Sequence, residues 1–382
     1  MMNNHHNTVA VAMSGGVDSS VAAALLKEQG YSVIGLTMHL WDYDGVGGNV
    51  FNESSCCSVE SMDDARAVCQ RLDIPHYVVD VREEFRRQVI RNFIDEYLEG
   101  RTPNPCILCN SIMKWKVLFN KAKQIGASFL ATGHYAQVAF DEKLQRYILK
   151  KGSDPSKDQS YALWALTQQQ LKYTIFPLGR HSKSEVRYIA AQLNLKTKQK
   201  SESQEICFIP DNDYRRFLRE QVPELELRLH RGQIVDTEGR VLGTHDGYPF
   251  FTIGQRRKLG IAVGKPLYVT QIDAEQNRIV VGEKEELQAS GLFADKVNWI
   301  AMGVPPSAIR AMTKIRYNDN GKMASIYPLS PHEIVVQFEE QHQAVTPGQS
   351  VVFYQQENVV GGGVIARGLT ATELQHIIEK KY

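Results

Sequence analysis

Apolar runs in the first 200 or so residues come in two alternating kinds. Val9 to Met13, Ser32 to Met38, His76 to Val81 and Ser128 to Thr132 are short and predict four strands. Between them, apolar positions recur at helical spacing. Val21 to Lys27 follows the first strand. Met62, Ala65, Cys69 and Leu72 mark one face of Ser61 to Leu72, and Phe85, Ile90, Phe93, Ile94 and Tyr97 one face of Glu83 to Leu98. Strands alternating with helices predict an α/β domain, a doubly wound parallel sheet with helices on both faces. Ligands of such sheets bind beyond the carboxyl ends of the strands, where Ser14-Gly15-Gly16 and Gly133-His134 lie. Ser182 and Glu185 form a capping-box pattern opening a helix through Leu193.

Trp41 to Ser55 carries glycines without periodicity and reads as a mobile loop over the site. After about residue 213 the pattern changes. Asp213 to Val222 reads as helix, then come short strand-like pieces, Gln233 to Asp236, Val241 to Gly243, Leu267 to Asp273 and Arg278 to Val281. Beyond about residue 290 only short strands remain: Val297 to Met302, Thr313 to Tyr317, Ser325 to Tyr327, Glu333 to Phe338, Ser350 to Tyr354 and Val359 to Ile365. Regular turn spacing predicts a small all-β barrel. The expected domains are 1–212, catalytic; 213–288, an α+β connector; and 289–382, a β-barrel.

At 382 residues and 43% hydrophobic, the chain can build two or three cored domains. A net charge of +1 gives no global field for nucleic acid, so such binding must use local patches. From Arg180 to Lys200 six basic residues face one acidic residue, which reads either as a solvated helix face or as a phosphate-contact surface. No apolar run approaches 18 residues, so no membrane span is expected, and the polar stretch Met1 to Asn7 has no signal-like apolar core. Six cysteines in a chain this long suit a reducing cytoplasm, where reactive thiols outnumber staples.

Ser14-Gly15-Gly16-Val17-Asp18-Ser19-Ser20 stands between the first strand and its helix. Paired glycines let the backbone approach a ligand closely, and N–H groups converge at a helix start, which suits phosphate. No Gly-Lys-Ser or Gly-Lys-Thr occurs, which excludes a Walker loop. The loop resembles instead that of ATP pyrophosphatases, which hold pyrophosphate and cleave at the α-phosphorus.

Arg101-Thr102-Pro103-Asn104-Pro105-Cys106-Ile107-Leu108-Cys109-Asn110 presents a Cys-x-x-Cys on a proline-stiffened approach. Such a pair can be a redox dithiol, half of a metal site, or a nucleophile with a neighbour. Structural zinc needs four ligands, and no second Cys-x-x-Cys exists. Cys207, in Ile206-Cys207-Phe208-Ile209, reads on its own as a small buried hydrophobe or as a functional thiol. Cys69 reads as structural, on a helix's apolar face. Cys56 and Cys57 read as structural too, with a redox role beside the mobile loop as the alternative.

These motifs, with Ala131-Thr132-Gly133-His134-Tyr135, Lys157-Asp158-Gln159-Ser160-Tyr161 and Thr252-Ile253-Gly254-Gln255-Arg256, occur in an order that closely resembles the bacterial tRNA-specific 2-thiouridylases over essentially the whole chain. The resemblance implies a tRNA-uridine 2-sulfurtransferase. ATP adenylates the C2 oxygen of the wobble uridine, and sulfur then displaces AMP. It assigns ATP contacts to Ala12, Met13, Ser14, Gly15, Gly16, Val17, Asp18, Ser19, Met38 and Gly133, with Asp18 helping to hold Mg²⁺. Cys207 would carry a persulfide and Cys109 would attack its inner sulfur, leaving a Cys109–Cys207 disulfide for reductant to reopen.

For Cys106 two readings stand. It lines the target-base pocket with Asn104 and Pro105, or Cys106, Cys109 and Cys207 ligate an iron–sulfur cluster with one open iron. The base must be splayed out of the anticodon loop before its C2 is reachable. By resemblance, His134, Lys157, Asp158, Gln159, Arg316, Tyr317 and Gln349 contact the tRNA, with Gln255-Arg256-Arg257-Lys258 adding charge. His134 also reads as a satisfied strand-end histidine and Arg316 as a solvated arginine. The implied partners are tRNA and a sulfur donor, a cysteine desulfurase or a sulfur-relay protein. Rival readings are another α-phosphate-cleaving synthetase and a non-catalytic tRNA-binding or iron–sulfur module.

Overall fold

In a computed structural model the described residues are 7–41, 59–200 and 206–381. Most of the expected loop after Trp41, the Cys56-Cys57 pair and the Ser203-Gln204-Glu205 approach to Cys207 lie outside them. The chain divides into two units: Met1–Ile90 with Pro105–Asp213 and Gln356–Val359, and Arg91–Asn104 with Tyr214–Gln355 and Val360–Tyr382.

The first unit is built on parallel strands β1 (Thr8–Ala12), β2 (Ser32–His39), β3 (His76–Asp80) and β4 (Phe129–Ala131). Beyond an antiparallel hairpin of β5 (Ala136–Asp141) and β6 (Arg146–Lys151) comes a fifth parallel strand, β7 (Thr174–Ile175). The sheet order is β3-β2-β1-β4-β7, all neighbours parallel. The first crossovers run outward from β1 and the next returns to its other side, so the topological switch opens between the carboxyl ends of β1 and β4.

β1 is buried on both faces, as a central parallel strand must be: Val9, Ala10 and Val11 are inaccessible. The helix Val17–Glu28 meets it with small residues, Ala22 and Ala23, beside Val21 and Leu26, which lets helix and sheet approach closely. Each fully buried Val or Leu there contributes about 1.5–3 kcal/mol of transfer free energy.

The four expected strands form. The hairpin and β7 were not foreseen, because β6 is rich in charge, Phe140 of β5 is exposed and β7 has two residues. The expected helix Glu83 to Leu98 is realised as Arg82–Phe85, a π-helical turn Arg86–Ile90, and Arg91–Leu98. The Ser182 capping box opens Lys183–Gln192, with Ser182 and Glu185 bonded reciprocally.

In the second unit, β8 (Gly232–Asp236), β9 (Val241–His245), β10 (Tyr268–Asp273) and β11 (Arg278–Gly282) make a mixed sheet of order β10-β11-β8-β9. Then β12 (Gln288–Trp299), β13 (Ile309–Lys314), β14 (Lys322–Ser330), β15 (Glu333–Gln343), β16 (Ser350–Gln355) and β17 (Asn358–Leu369) follow in the order β12-β15-β14-β13-β16-β17. β17 pairs back onto β12, so the six-stranded barrel is closed. Its interior follows the two-residue period: Leu292 and Ala294, Ala324 and Ile326, Ile334, Val336 and Phe338 point inward.

Two strand expectations shift. β12 starts at Gln288 and ends at Trp299, and β13 ends at Lys314, which leaves Arg316 and Tyr317 in the following turn. An unforeseen helix, Ala371–Lys381, packs Leu374 on Val335 and Leu369. Among the described residues no helix is long and apolar enough to cross a membrane.

Candidate active site

Ser14 to Ser19 leave the end of β1 and turn into the helix Val17–Glu28. Gly15 sits at φ +67, and a Cβ there would fall 2.1 Å from the Ser61 carbonyl oxygen, so only glycine fits. Gly16 is the helix N-cap, and no side chain caps the helix start, so its first N–H groups are left open to a ligand. Ser19 Oγ accepts from the Ser14 N–H at 3.2 Å, and Ser20 Oγ donates to the Gly16 carbonyl at 2.7 Å. Gly133, at the end of β4, lies against this loop: a Cβ there would come within 2.7 Å of the Asp18 carbonyl carbon and the Ser19 nitrogen. Sequence-distant Gly133 and Asp18-Ser19 are thus in backbone contact at the switch point. Met38 is buried near the end of β2, two residues beyond the Leu36 that pairs with Ala12.

Asp18 has a partner that sequence reading missed. Lys183 Nζ lies 2.8 Å from both Asp18 carboxylate oxygens, and the Tyr135 hydroxyl donates to Oδ1 at 2.7 Å. The Lys183 ammonium also stands 5.7 Å from the Tyr135 ring centroid. Lys183 is only 9% exposed, so neither reading of the basic 180–200 stretch describes it. Lys196 and Lys200 of that stretch also have inward partners. Both bond the buried Asp64, whose burial would raise its pKa, and together they bring it below the usual carboxylate value. The sequence signal for Lys183 was its place as the first residue of a capped helix, and that position alone names no partner.

The thiol-bearing segments converge on one helical run. Phe208, beside Cys207, packs edge-on to Phe85 with ring centroids 5.7 Å apart. The segment Pro105–Leu108, with Cys106, packs on Arg86–Ile90, and the π-helical Cys109–Leu118 packs on Arg82–Phe85. Cys106 is exposed, while Cys109 and Cys207 are half-buried. Cys69 is buried, and its thiol is pushed up to about 12 by desolvation, which suits a packing role. Among the described residues no three His, Cys, Asp or Glu side chains are gathered as a metal site.

His134 is tied to the helix that begins at Cys109. Lys114 Nζ donates to Asn110 Oδ1 at 2.8 Å and reaches His134 Nε2 at 3.5 Å, and His134 Nδ1 lies 2.7 Å from Thr132 Oγ1. Burial, helped by the Lys114 charge, holds the imidazole pKa well below its ordinary value, so His134 is a neutral ring with Nε2 accepting. Trp115 and Phe176 flank it.

The Lys157-Asp158-Gln159 turn is largely self-built. Asp158 accepts from the Gly152 and Ser160 N–H groups, and Gln159 Oε1 accepts from the Tyr135 N–H at 3.0 Å. Gln159 thereby steadies the tyrosine that bonds Asp18.

In the second unit, Arg316 is exposed and Tyr317 is 45% exposed on a turn folded around Asp319. That carboxylate accepts from the Ile315 N–H at 2.9 Å and the Gly321 N–H at 3.1 Å, and lies 3.0 Å from His342 Nε2. Gln349 faces inward: its Nε2 donates to the Thr102 and Pro103 carbonyls at 3.0 and 3.1 Å. Arg256, Arg257 and Lys258 are exposed, and Arg256 and Lys258 line a cavity of about 230 Å³.

Three family models match the chain in succession: a tRNA methyl transferase HUP domain over 7–211, a tRNA methyl transferase PRC-barrel domain over 215–283 and an aminomethyltransferase beta-barrel domain over 289–365. The tRNA-specific 2-thiouridylase MnmA of Salinibacter ruber is 51% identical over 94% of this chain and 94% of its own. That of Geotalea uraniireducens is 50% identical over 98% and 99%. A 4-thiouridine synthetase solved with RNA and ATP shares 16% identity over 58% of this chain and 52% of its own; its TM-score of 0.36 assigns nothing here.

Proposed function

This chain belongs to the tRNA-specific 2-thiouridylase family, and on that premise we propose that it thiolates C2 of the wobble uridine of tRNA at the expense of ATP. The observation that carries the reading is the backbone contact of Gly133 with Asp18-Ser19. It sets the end of β4 directly on the glycine loop at the switch point, and that loop has no P-loop lysine. Such a loop suits a nucleotide held for attack at its α-phosphorus.

In this reading Ala12 to Ser19 and Gly133 receive the phosphates, and Met38 flanks the adenine. Mg²⁺ arrives with ATP, a hard ion that needs few protein ligands when phosphate oxygens and water supply the rest. Asp18 is the carboxylate that would hold it, once Lys183 turns from Asp18 toward the polyphosphate. The metal's chemistry is charge neutralisation at the phosphates.

The uridine C2 oxygen attacks the α-phosphorus, pyrophosphate leaves, and the oxygen becomes part of an AMP leaving group. Cys207 carries a persulfide received from a desulfurase or relay protein. The Cys109 thiolate attacks the inner sulfur, the S–S bond breaks, and the terminal sulfur leaves as sulfide to replace AMP at C2. A Cys109–Cys207 disulfide remains, and two electrons from a thiol reductant reopen it. The two thiols must come within disulfide reach, Cα atoms closer than about 7 Å. Their segments' shared packing on 82–90 supports that approach.

Asn104, Pro105 and Cys106 form the wall for the flipped base. The neutral His134 offers a hydrogen-bonding edge, Lys157 with its Asp158-Gln159 turn offers a phosphate contact, and Arg316 and Tyr317 offer charge and a stacking face.

The test is transfer of labelled sulfur to tRNA with ATP, Mg²⁺, cysteine and a cysteine desulfurase, followed by nucleoside analysis. A 2-thiouridine peak that requires ATP supports the reading. Pyrophosphate release stimulated by tRNA without any thiolated nucleoside overturns it.

A further inference from the structure

Resting on that reading, we propose that Tyr135 is a positioning residue that joins the two substrate contacts, so that tRNA and ATP each raise the protein's affinity for the other. Tyr135 is only 2% exposed, and its side chain and main chain serve different sites. Its hydroxyl donates to Asp18 Oδ1 at 2.7 Å, and over its ring lies the Lys183 ammonium that holds the same carboxylate. Its main chain is bonded twice to Gln159. The Tyr135 N–H donates to Gln159 Oε1 at 3.0 Å, and the Gln159 N–H donates to the Tyr135 carbonyl at 2.9 Å.

In the functional reading the two ends carry different ligands. Asp18 belongs to the nucleotide loop, while Gln159 and the adjoining His134 belong to the RNA contacts. Gln159 keeps its RNA role in this arrangement. A backbone N–H can bond only the oxygen of a carboxamide, so the group that Gln159 turns to RNA is its NH₂, a donor.

The connection is close-packed at both ends. A Cβ on Gly133 would come within 2.7 Å of the Asp18 and Ser19 backbone, and a Cβ on Gly152 would lie 2.8 Å from the Tyr135 carbonyl oxygen. The Gly152 N–H in turn donates to Asp158 Oδ1 at 3.0 Å. Residues 133–135 therefore touch the nucleotide loop through the Gly133 backbone and the Tyr135 hydroxyl, and the 157–159 turn through both main-chain groups of Tyr135. A tyrosine ring is rigid, so a displacement of its main chain carries over to the hydroxyl on Asp18. A ligand that orders this connection from one end removes part of the ordering cost for the ligand at the other end. The coupling is reciprocal by thermodynamic necessity.

The experiment compares wild type, Tyr135→Phe and Gly152→Ala as full chains. The Kd for a non-hydrolysable ATP analogue with Mg²⁺ is measured with and without saturating tRNA transcript, and the Kd for tRNA with and without the analogue. Amide exchange at residue 135 is followed with and without tRNA. In wild type each ligand should tighten the other by the same factor, about fivefold or more. Transfer RNA alone should slow the exchange at residue 135.

Tyr135→Phe keeps the ring and both main-chain bonds but loses the donor to Asp18. Its coupling factor should fall to within about twofold of one, while tRNA still slows the exchange. A merely structural role would weaken each ligand and leave the factor unchanged. Gly152→Ala displaces the Tyr135 carbonyl and should lower the factor too; should it fail to fold, Tyr135→Phe decides. A wild-type factor near one overturns the proposal, and so does a Phe variant with the wild-type factor. Both results leave the functional reading standing, whereas a wild-type protein that binds no tRNA or no nucleotide sinks both.

Discussion

Lys183 Nζ stands 2.8 Å from both oxygens of Asp18, joining the first turn of one helix to the first turn of another across 165 positions of sequence. The pair is nearly enclosed: the side chains are 11% and 30% exposed, with the Tyr135 hydroxyl on the same carboxylate. In the ligand-free protein this ammonium balances the one acidic side chain of the glycine loop.

Lys183→Met follows from this geometry. Removing the ammonium leaves Asp18 with the Tyr135 hydroxyl in a site with little water. The variant should lose about 1–3 kcal/mol of stability, less than a fully buried pair because Asp18 keeps some solvent. ATP-dependent pyrophosphate release should fall by tenfold or more, measured beside urea unfolding. Unchanged pyrophosphate release would show that Lys183 serves the fold alone.

Gly133→Ala probes this backbone contact. The new Cβ meets Asp18 and Ser19 backbone at 2.7 Å, and backbone cannot step aside as a side chain can. Overpacking of this kind costs about 1–3 kcal/mol. The Kd for an ATP analogue should rise by at least tenfold, while tRNA affinity stays near wild type. Isothermal titration with a non-hydrolysable ATP analogue gives the first number and filter binding the second.

Cys109→Ser and Cys207→Ser should each abolish thiolation while ATP binding remains near normal. Cys69→Ala should retain thiolation and lose only packing, because its thiol is buried and its pKa of about 12 keeps it protonated. Loss of ATP binding in either serine variant would place the thiols in the nucleotide site instead.

Asp319 links stability to pH. Burial alone would raise its pKa, but His342 and the Ile315 and Gly321 N–H groups outweigh that and hold it at about 2, below the ordinary 3.8. A depressed carboxylate stabilises the fold above its unfolded value, and that contribution is lost as pH falls from about 4 toward 2. The contribution is about 2 kcal/mol. Urea unfolding of wild type between pH 6 and pH 3 should therefore show a loss that Asp319→Asn lacks. Identical pH slopes would remove Asp319 as the keystone of the Arg316-Tyr317 turn.

The parallel-sheet domain was legible because its signals are local. Val9 to Met13 is apolar on both faces, the glycine pair follows at once, and Ser182 and Glu185 sit three apart as a capping box needs. The barrel was legible in kind, from alternation and turn spacing. Its details were not: Asp319 folds Arg316 and Tyr317 out of the expected strand by binding N–H groups on both sides of the turn, an effect that alternation does not encode. The C-terminal helix was missed because its apolar residues, Leu374, Ile377 and Ile378, are few and find their cover on barrel residues such as Val335.

The candidate site divides in the same way. By itself the sequence determined the glycine loop, the two motifs that carry Cys109 and Cys207, and the order that marks the family, because each is a run of neighbours along the chain. Only the tertiary structure decided that Lys183 belongs to Asp18, that His134 is held neutral beside Lys114, and that Gln349 turns its amide onto Thr102 and Pro103. Their physical reason is common. An ammonium, an imidazole and a carboxamide take their protonation and their partners from whatever the fold sets within about 3 Å, and for Lys183 and Gln349 those neighbours are more than a hundred residues away along the chain.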